Sequence, residues 1–294
     1  GSGSNVLDGA GGTGTVSYLY GATAGVSVSL GLSGAQATGG SGSDTLTAIE
    51  NLGGSTYNDT LRGDGNANLL SGDAGNDLLD GATGNDTLDG GSGNDTLWGG
   101  TGADSMTGGD GNDAYYLDHT GDSVSETSAN PASGGIDRVF SYLATCTLAA
   151  NVENGRILAT TAANLSGNAL DNLLQAGSGS NVLDGAGGTD TVSYLYGATA
   201  GVSVSLAIAG AQATGCSGND TLISIENLGG STYNDTLRGD GAANLLTGEA
   251  GNDFLDGSAG NDTLDGGSGN DTLFGGTGAD SMTGGDGNDA YYLD

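Results

Sequence analysis

Residues 54–116 read GSTYNDTLR GDGNANLLS GDAGNDLLD GATGNDTLD GGSGNDTLW GGTGADSMT GGDGNDAYY, which is seven consecutive copies of one nine-residue pattern. Most units have glycine or another small residue at positions 1, 2 and 4, aspartate at position 6 and a large apolar residue at position 8. The run recurs at residues 230–292. So much glycine would normally suggest a disordered linker, but the strict registration of the apolar residue argues against one.

This period does not suit a helix, because each interior glycine costs a helix about 1 kcal/mol. It suits a turn followed by a very short strand, whose position-8 side chain points inward because strand side chains alternate between faces. Two units then make one coil of 18 residues. Successive coils are predicted to stack as two parallel sheets, with turns along both edges.

This stacking is expected to place the position-6 side chains in columns, because residues 18 apart in sequence lie on the same edge of the coil stack. Carboxylates about 4.8 Å apart, the spacing of neighbouring strands, repel one another unless cations lie between them. Carboxylate and carbonyl oxygens in flexible turns select calcium over magnesium or zinc. We expect one column on each edge: Asp59, Asp77, Asp95 and Asp113 in the first, and Asn68, Asp86 and Asp104 in the second.

These units resemble the hemolysin-type, or repeats-in-toxin (RTX), calcium-binding nonapeptide GGxGxDxUx. GGSGNDTLW (90–98) and GGTGADSMT (99–107) match it at every defined position. The resemblance implies an elongated all-β fold, a right-handed parallel β-roll or β-solenoid with each calcium held between two turns on one edge. Asn68 and Asn244 depart from the pattern, so sites that use those turns should be weaker or filled differently.

The resemblance also implies the ligands, which are position-6 carboxylates and carbonyl oxygens of the glycines. Two runs of seven turns offer about ten sites of this kind, and ten calcium ions would offset most of the net charge of −32. The carboxylates implied are those of Asp44, Asp59, Asp77, Asp86, Asp95, Asp104, Asp113, Asp190, Asp220, Asp235, Asp253, Asp262, Asp271, Asp280 and Asp289. The glycines implied are Gly84, Gly90, Gly93, Gly99, Gly102, Gly260, Gly266, Gly269, Gly275 and Gly278.

Residues 1–118 and 177–294 form two copies that align without a gap and differ at about 15 positions. At one of these, Gly14 stands where the second copy has Asp190, so the first copy is expected to lack one ligand. We expect residues 119–176 to be connector coils without calcium, continuous with the solenoid; the alternative is a small globular insertion. Both termini cut through repeats, which predicts a longer array. Tyr18 and Tyr20 are expected to pack.

Composition and motifs exclude several functions. The 294 residues include 36 acids but only four basic residues, so a basic patch for nucleic acid or anionic membrane is not expected. No membrane-inserting run is present. His119 is the only histidine, which leaves too few ligands for zinc. No catalytic motif is present either, and we expect no enzyme within these residues.

Two functional hypotheses remain. The first is a calcium-rigidified stalk or filament of a secreted or surface-attached bacterial protein, such as an adhesin, partnered by further copies of the repeat end-to-end or side-by-side. The second is an RTX secretion and folding module of an enzyme or toxin exported by a type I secretion system. Both predict an extracellular or cell-surface location without a cleaved N-terminal signal in these residues. A carbohydrate- or ice-binding face is less favoured, because Leu78 and Ser105 interrupt the outward threonines at position 7.

Overall fold

The computed structural model describes residues 3–126, 134–215 and 217–293. Two compact units divide the chain, one comprising residues 1–142 and 149–152 and the other residues 143–148 and 153–294. All regular structure in the described residues is β-strand. No helix that is long and apolar enough to cross a membrane occurs in those residues.

The strands of the first unit are short, and most have three residues. They are β1 Val6–Asp8, β2 Thr15–Ser17, β3 Ser27–Ser29, β4 Gln36–Ala37, β5 Ser43–Thr47, β6 Asn51–Gly53, β7 Thr60–Arg62, β8 Leu69–Ser71, β9 Leu78–Asp80, β10 Thr87–Ser92, β11 Thr96–Trp98, β12 Ser105–Asp110, β13 Ala114–Leu117, β14 Ser123–Ser125 and β15 Arg138–Ser141.

Most of these strands alternate between two parallel sheets as the chain coils, and β1 pairs in parallel with β5 in a further sheet. One sheet has the order β3-β7-β9-β11-β13-β15, and the other has the order β14-β12-β10-β8-β6-β2. Leu79 is in register with Leu61 on one side and with Leu97 on the other, so neighbouring strands are one 18-residue coil apart. The predicted parallel β-solenoid is therefore confirmed.

The strands of the second unit follow the same plan. They are β16 Thr145–Thr147, β17 Asn154–Ile157, β18 Ala163–Ser166, β19 Leu173–Gln175, β20 Asn181–Asp184, β21 Thr191–Ser193, β22 Ser203–Ser205, β23 Gln212–Ala213, β24 Asn219–Ile223, β25 Asn227–Gly229, β26 Thr236–Arg238, β27 Leu245–Thr247, β28 Phe254–Asp256, β29 Thr263–Asp265, β30 Thr272–Phe274, β31 Ser281–Thr283 and β32 Ala290–Tyr292.

Three parallel stacks make up this second unit. Their orders are β17-β19-β21-β25-β27-β29-β31, β22-β26-β28-β30-β32 and β16-β18-β20-β24. Each unit also contains one antiparallel pair, β4 with β5 and β23 with β24. The first strand of each pair lies at the end of the segment that breaks the nine-residue count, which is residues 18–38 in the first copy and 194–214 in the second. In that segment Tyr18 is buried as expected, but Tyr20 is 88% exposed, because it lies in a turn that leaves the sheet; the packing expected for Tyr20 was wrong.

The core is a single ladder of position-8 side chains. Burying a leucine of this kind contributes about 1.5–3 kcal/mol, and each coil adds only two such residues. In the second copy, Met282 is half-buried and Tyr291 is 50% exposed, because their coils form the end of the described stacks. The fully buried members are Leu61, Leu70, Leu79, Leu88, Leu97, Met106, Tyr115, Leu237, Leu246, Leu255, Leu264 and Leu273.

Glycine is required in the turns because backbones of neighbouring coils lie in contact. Gly93 has φ +122°, and a Cβ atom added to it would overlap the carbonyl oxygen of Gly75 in the preceding coil. Gly90 has ordinary backbone angles, but a Cβ atom there would overlap Oδ2 of Asp95. The glycines of the pattern therefore hold the turns close to one another and to the position-6 carboxylates.

Replacing a core leucine tests this ladder against a neighbouring control. Leu79→Ala is expected to lower the free energy of unfolding by about 2–5 kcal/mol, because it leaves a cavity in the ladder. Leu78→Ala changes the adjacent side chain, which is 42% exposed, and should cost less than about 1 kcal/mol. Urea unfolding in millimolar calcium, followed by circular dichroism, measures both. Equal losses would contradict the assigned core.

Candidate metal centre

Position-6 side chains form hydrogen-bonded columns on the two edges of the first unit. The Oδ1 atom of each acid accepts the backbone N–H of the position-6 residue one coil earlier; Asp77 accepts from Asp59 at 2.7 Å and Asp95 accepts from Asp77 at 2.8 Å. Each column therefore runs parallel to the stacking direction of the strands. In order, the columns are Asp59, Asp77, Asp95, Asp113 and Asp137 on one edge, and Asn68, Asp86, Asp104 and Asp122 on the other.

The second carboxylate oxygen is the notable atom of these columns. In nine of the predicted acids Oδ2 is buried and has no hydrogen-bond donor among the described residues. Burying an ionised carboxylate without a partner is too costly to persist, so such a group either takes up a proton or binds a cation. The nine are Asp77, Asp86, Asp95, Asp104, Asp113, Asp190, Asp253, Asp262 and Asp271.

Backbone carbonyl oxygens lie beside these Oδ2 atoms. A Cβ atom added to Gly72 would overlap Oδ2 of Asp77 and would lie 2.5 Å from the carbonyl oxygen of Gly90, so both oxygens face one α-carbon. In the same way, the carbonyl oxygens of Gly99, Gly266 and Gly275 lie beside the α-carbons of Gly81, Gly248 and Gly257, respectively. The carbonyl oxygens of Gly84, Gly93, Gly260 and Gly269 lie instead against the position-4 α-carbons of Gly102, Gly111, Gly278 and Gly287.

This set of hard oxygens fits a calcium ion better than a softer metal, because it offers carboxylates and carbonyls but neither imidazole nor thiolate. The residues that would hold the ions are the position-6 aspartates with buried Oδ2 atoms. The position-1 glycines would supply carbonyl oxygens beside them.

Burial also changes the acidity of these groups. Desolvation, together with repulsion from Asp95, Asp59 and Asp73, raises the pKa of Asp77 from its ordinary value of 3.8 to about 7. Burial raises the pKa of Asp253 to about 7 and that of Asp95 to about 6. Without a cation, the columns therefore oppose the charged state of their own acids.

Asn68 takes the place of a position-6 acid in the second column, and its amide needs no cation. Oδ1 of Asn68 accepts the N–H of Asp64 at 2.9 Å, and its Nδ2 donates to the carbonyl oxygen of Glu50 at 2.8 Å. Asn244 makes the same contacts with Asp240 and Glu226. The amide thus supplies a donor to a carbonyl oxygen, which is the role that a cation would take beside an aspartate.

Four predicted acids have protein donors on both carboxylate oxygens. Asp59 accepts the N–H of Val26 on Oδ1 and the N–H of Ser55 on Oδ2, at 2.7 and 2.5 Å. Asp235 has the matching partners Val202 and Ser231. The other two are satisfied by asparagine and threonine: Asp44 by Asn5 and Thr38, and Asp220 by Asn181 and Thr214.

The last two predicted acids, Asp280 and Asp289, are half-buried and accept N–H groups from Asp262 and Asp271 at 3.0 Å. Asp190 is fully buried, and its Oδ1 accepts the N–H of Asn172 at 2.7 Å. Gly14, its counterpart in the first copy, has no carboxylate to place there.

Sequence reasoning missed several acids of the columns. Oε2 of Glu226 accepts the N–H of Asp190 at 2.8 Å, and Glu50 accepts the N–H of Gly14 in the same way. Both glutamates are followed by Asn-Leu, so their spacing to the next apolar residue is that of a position-6 acid. The same signal was available for Asp122, before Ser-Val, and for Asp137, before Arg-Val.

A second ladder, made by position-5 asparagines, was also missed. Oδ1 of Asn76 accepts the N–H of Asn94, and Oδ1 of Asn94 accepts the N–H of Asn112, at 2.9 and 2.8 Å. Asn252 and Asn270 repeat this arrangement in the second unit. The Asn-Asp pair that recurs in the sequence was the signal for this ladder. The hydrogen bonds of the ladders hold the exposed side of the turns in register.

The raised pKa values predict how the calcium-stripped protein responds to pH. A buried acid whose folded pKa is raised destabilises the fold above that pKa, and the penalty vanishes below the unfolded value. Stripped protein should therefore gain β structure as the pH falls from about 7 towards about 4, measured by circular dichroism. The gain should persist in 1 M salt, which screens exposed charges but not buried ones. A signal independent of pH, or lost in salt, would contradict this origin.

The comparison with known families agrees with this geometry. The family model for the RTX calcium-binding nonapeptide repeat matches residues 53–88, 80–115, 166–194, 229–264 and 265–294, which is more than half of the chain. Among curated proteins, none matches the chain. The matched ranges include the stacked columns of both copies, and repeats of this kind bind calcium in general. The chain therefore belongs to the RTX calcium-binding nonapeptide repeat family.

Proposed function

We propose that this chain is a structural region that calcium folds and stiffens, serving as a stalk or filament segment of a secreted or cell-surface bacterial protein. The observation that carries the proposal is the set of nine buried Oδ2 atoms without donors among the described residues. They make the charged, metal-free coil stack unfavourable, and a cation beside each of them removes that penalty.

A stalk is favoured by the tandem organisation of the chain. The two copies differ at about 15 positions, and most substitutions keep the size or polarity of the residue they replace. A region selected to be long and uniform benefits from such copies, because each coil needs only its neighbours. We propose further copies of the same repeat as its partners, joined end-to-end or side-by-side, and calcium ions numbering roughly ten.

A second candidate is a folding module that assists export. The acids disfavour folding where calcium is scarce, and family sites of extracellular type fill at about 10⁻⁴–10⁻³ M calcium. The chain would then leave the cell unfolded and fold outside. The two candidates share calcium-coupled folding and differ in the rest of the parent protein: further 176-residue units favour the stalk, and a catalytic or toxin domain favours the module.

Calcium removal is the first test. Stripping the protein with EGTA at pH 7.5 should abolish most of its β signal in circular dichroism, because the uncompensated columns oppose folding. Adding millimolar calcium should restore the signal. Trp98 is the only tryptophan and stacks on Tyr116 with ring centroids 4.7 Å apart, so its fluorescence should report the first copy separately. A stripped protein that kept its full β signal would refute the proposal.

A single ligand tests the columns. Asp95→Ala should reduce the number of calcium ions bound, or raise the calcium needed for half-maximal folding by about tenfold or more, because it removes one buried carboxylate. Asp8→Ala is the control: it removes an exposed acid of the first unit that lies outside the columns, and it should change neither quantity. Isothermal titration calorimetry gives both. Unchanged binding by the Asp95 variant would contradict the column assignment.

Electron microscopy tests the stalk itself. In millimolar calcium, the parent protein should contain rods whose length increases by a fixed amount for every 176-residue unit, about 4.8 Å per coil. The matched comparison is a parent protein with one unit deleted. Compact particles whose dimensions do not depend on the number of units would reject the stalk and leave the export module.

A further inference from the structure

One cluster of oxygen side chains in the first unit departs from the repeat pattern. Asp113 and Asp137 are position-6 acids of neighbouring coils. Glu126 comes 18 residues after Gly108 and occupies position 1, where all seven consecutive units have glycine. Tyr115 occupies position 8, where the six preceding units have leucine or methionine. The pattern of turn sites accounts for the two aspartates but not for Glu126 or Tyr115.

The four side chains meet inside the coil. Carboxylate oxygens of Asp113, Glu126 and Asp137 lie within 4.8 Å of one another, and all three residues are buried. The phenol joins them at Gly108: a Cβ atom added there would overlap Oη of Tyr115 and Oδ2 of Asp113, and would lie 2.6 Å from Oε1 of Glu126. Oxygens from three acidic or phenolic side chains thus surround a single α-carbon.

The tyrosine is an observation independent of the acids. Tyr115 is fully buried, and its Oη atom has no hydrogen-bond partner among the described residues, as is also true of Oδ2 of Asp113. A buried hydroxyl without a partner costs free energy, and a cation bound between the phenol oxygen and the carboxylates would remove that cost. Its counterpart Tyr291 is half exposed, and its Oη accepts the N–H of Gly284 at 2.8 Å.

The neighbouring arginine points elsewhere. Arg138 follows Asp137 in sequence, but its guanidinium lies 5.9 Å from the centre of the Phe140 ring. Phe140 stacks on Tyr116, which stacks on the exposed Trp98. The arginine is thus on the outer face of the sheet, while the three carboxylates face the interior of the coil.

We propose that Asp113, Glu126 and Asp137, with the hydroxyl of Tyr115, form an interior calcium site that is tighter than the turn sites. Its ligands are all hard oxygens, which suit calcium or a lanthanide ion. It has three carboxylates where a pair of turns supplies two, and the charge of the ligands is one of the factors that set calcium affinity. The proposal rests on calcium binding by the repeats, but it adds two ligands, Glu126 and Tyr115, that their pattern does not contain, to the turn site of Asp113 and Asp137.

Such a site has a distinct role in the first unit. Asp113 lies before β13, Glu126 lies after β14 and Asp137 lies before β15. One ion at this site would therefore link three successive half-coils. Glu126 and Asp137 also stand on either side, in sequence, of residues 127–133, which break the nine-residue count. As calcium rises, this site fills first and holds that part of the stack in register before the turn sites fill.

Calcium and terbium titrations of the full chain test the site. Glu126→Gly restores the glycine of the repeat pattern, and Glu126→Gln and Tyr115→Phe preserve side-chain size. Each should weaken the tightest binding step by about tenfold or more. Tyr291→Phe, and Asp8→Asn at an exposed acid of the first unit far from Asp113 in sequence, should leave that step unchanged. Near-ultraviolet difference spectra add a direct readout, because the tyrosine signal that accompanies the tightest step should vanish in Tyr115→Phe and persist in Tyr291→Phe.

The outcomes separate this site from the function on which it rests. A wild-type chain that binds no calcium refutes both. A chain that folds with calcium, but whose tightest step is unchanged in Glu126→Gly, Glu126→Gln and Tyr115→Phe, refutes the interior site and leaves the turn sites standing. Loss of the tightest step in these three variants, with both controls unaffected, supports it.

Discussion

The structure depends on one electrostatic constraint, which is that in nine of the predicted acids the buried Oδ2 atom has no donor among the described residues and, in several of them, lies beside a glycine carbonyl oxygen. Oδ1 of Asp77 is satisfied by the N–H of Asp59, but its Oδ2 lies beside the carbonyl oxygen of Gly90. Repeated along both edges, this arrangement accumulates negative charge where water is excluded. Hydrophobic burial is too small to oppose it, because one leucine per nine residues is the whole core. These observations are the basis for our proposal that the cation is part of the fold.

Other turns of the columns meet the same constraint with protein donors in place of a cation. At these turns a residue change supplies a donor: the amide of Asn68 donates to the carbonyl oxygen of Glu50, and the hydroxyl of Ser55 donates to Oδ1 of Asp59. Threonine does the same for Asp220. These substitutions differ chemically, yet each removes the need for a cation at one turn. The number of strong sites is thus set by which turns lack such a donor, and the count of aspartates overstates it.

Contacts on the outer faces of the sheets contribute little to the free energy of folding. The ion pairs Arg62–Asp80 and Arg238–Asp256 are exposed, and pairs of this kind contribute at most about 1 kcal/mol. Aromatic stacks, Trp98 with Tyr116 in the first unit and Phe274 with Tyr292 in the second, follow the one-coil spacing of the strands. They add contact between coils without bridging the two sheets. The stiffness that we propose for a stalk would therefore come from the edges, where the cations would lie.

The sequence alone determined the coil. A nine-residue period with glycine at fixed positions permits only a turn and a three-residue strand, and this gave the parallel sheets, the buried leucines and the two columns. The tertiary structure decided which acids need a cation, because that depends on donors from residues distant in sequence, such as Val26 beside Asp59, 33 residues later. It also placed Glu50, Glu226, Asp122 and Asp137 in the columns, and Glu126 and Tyr115 in one interior cluster. Asp137 follows Asp113 by 24 residues, so an insertion takes it out of the nine-residue count and only the stacking of the coils brings it into the column. The others keep the spacing of the repeat, but the contacts among their side chains depend on how the coils stack.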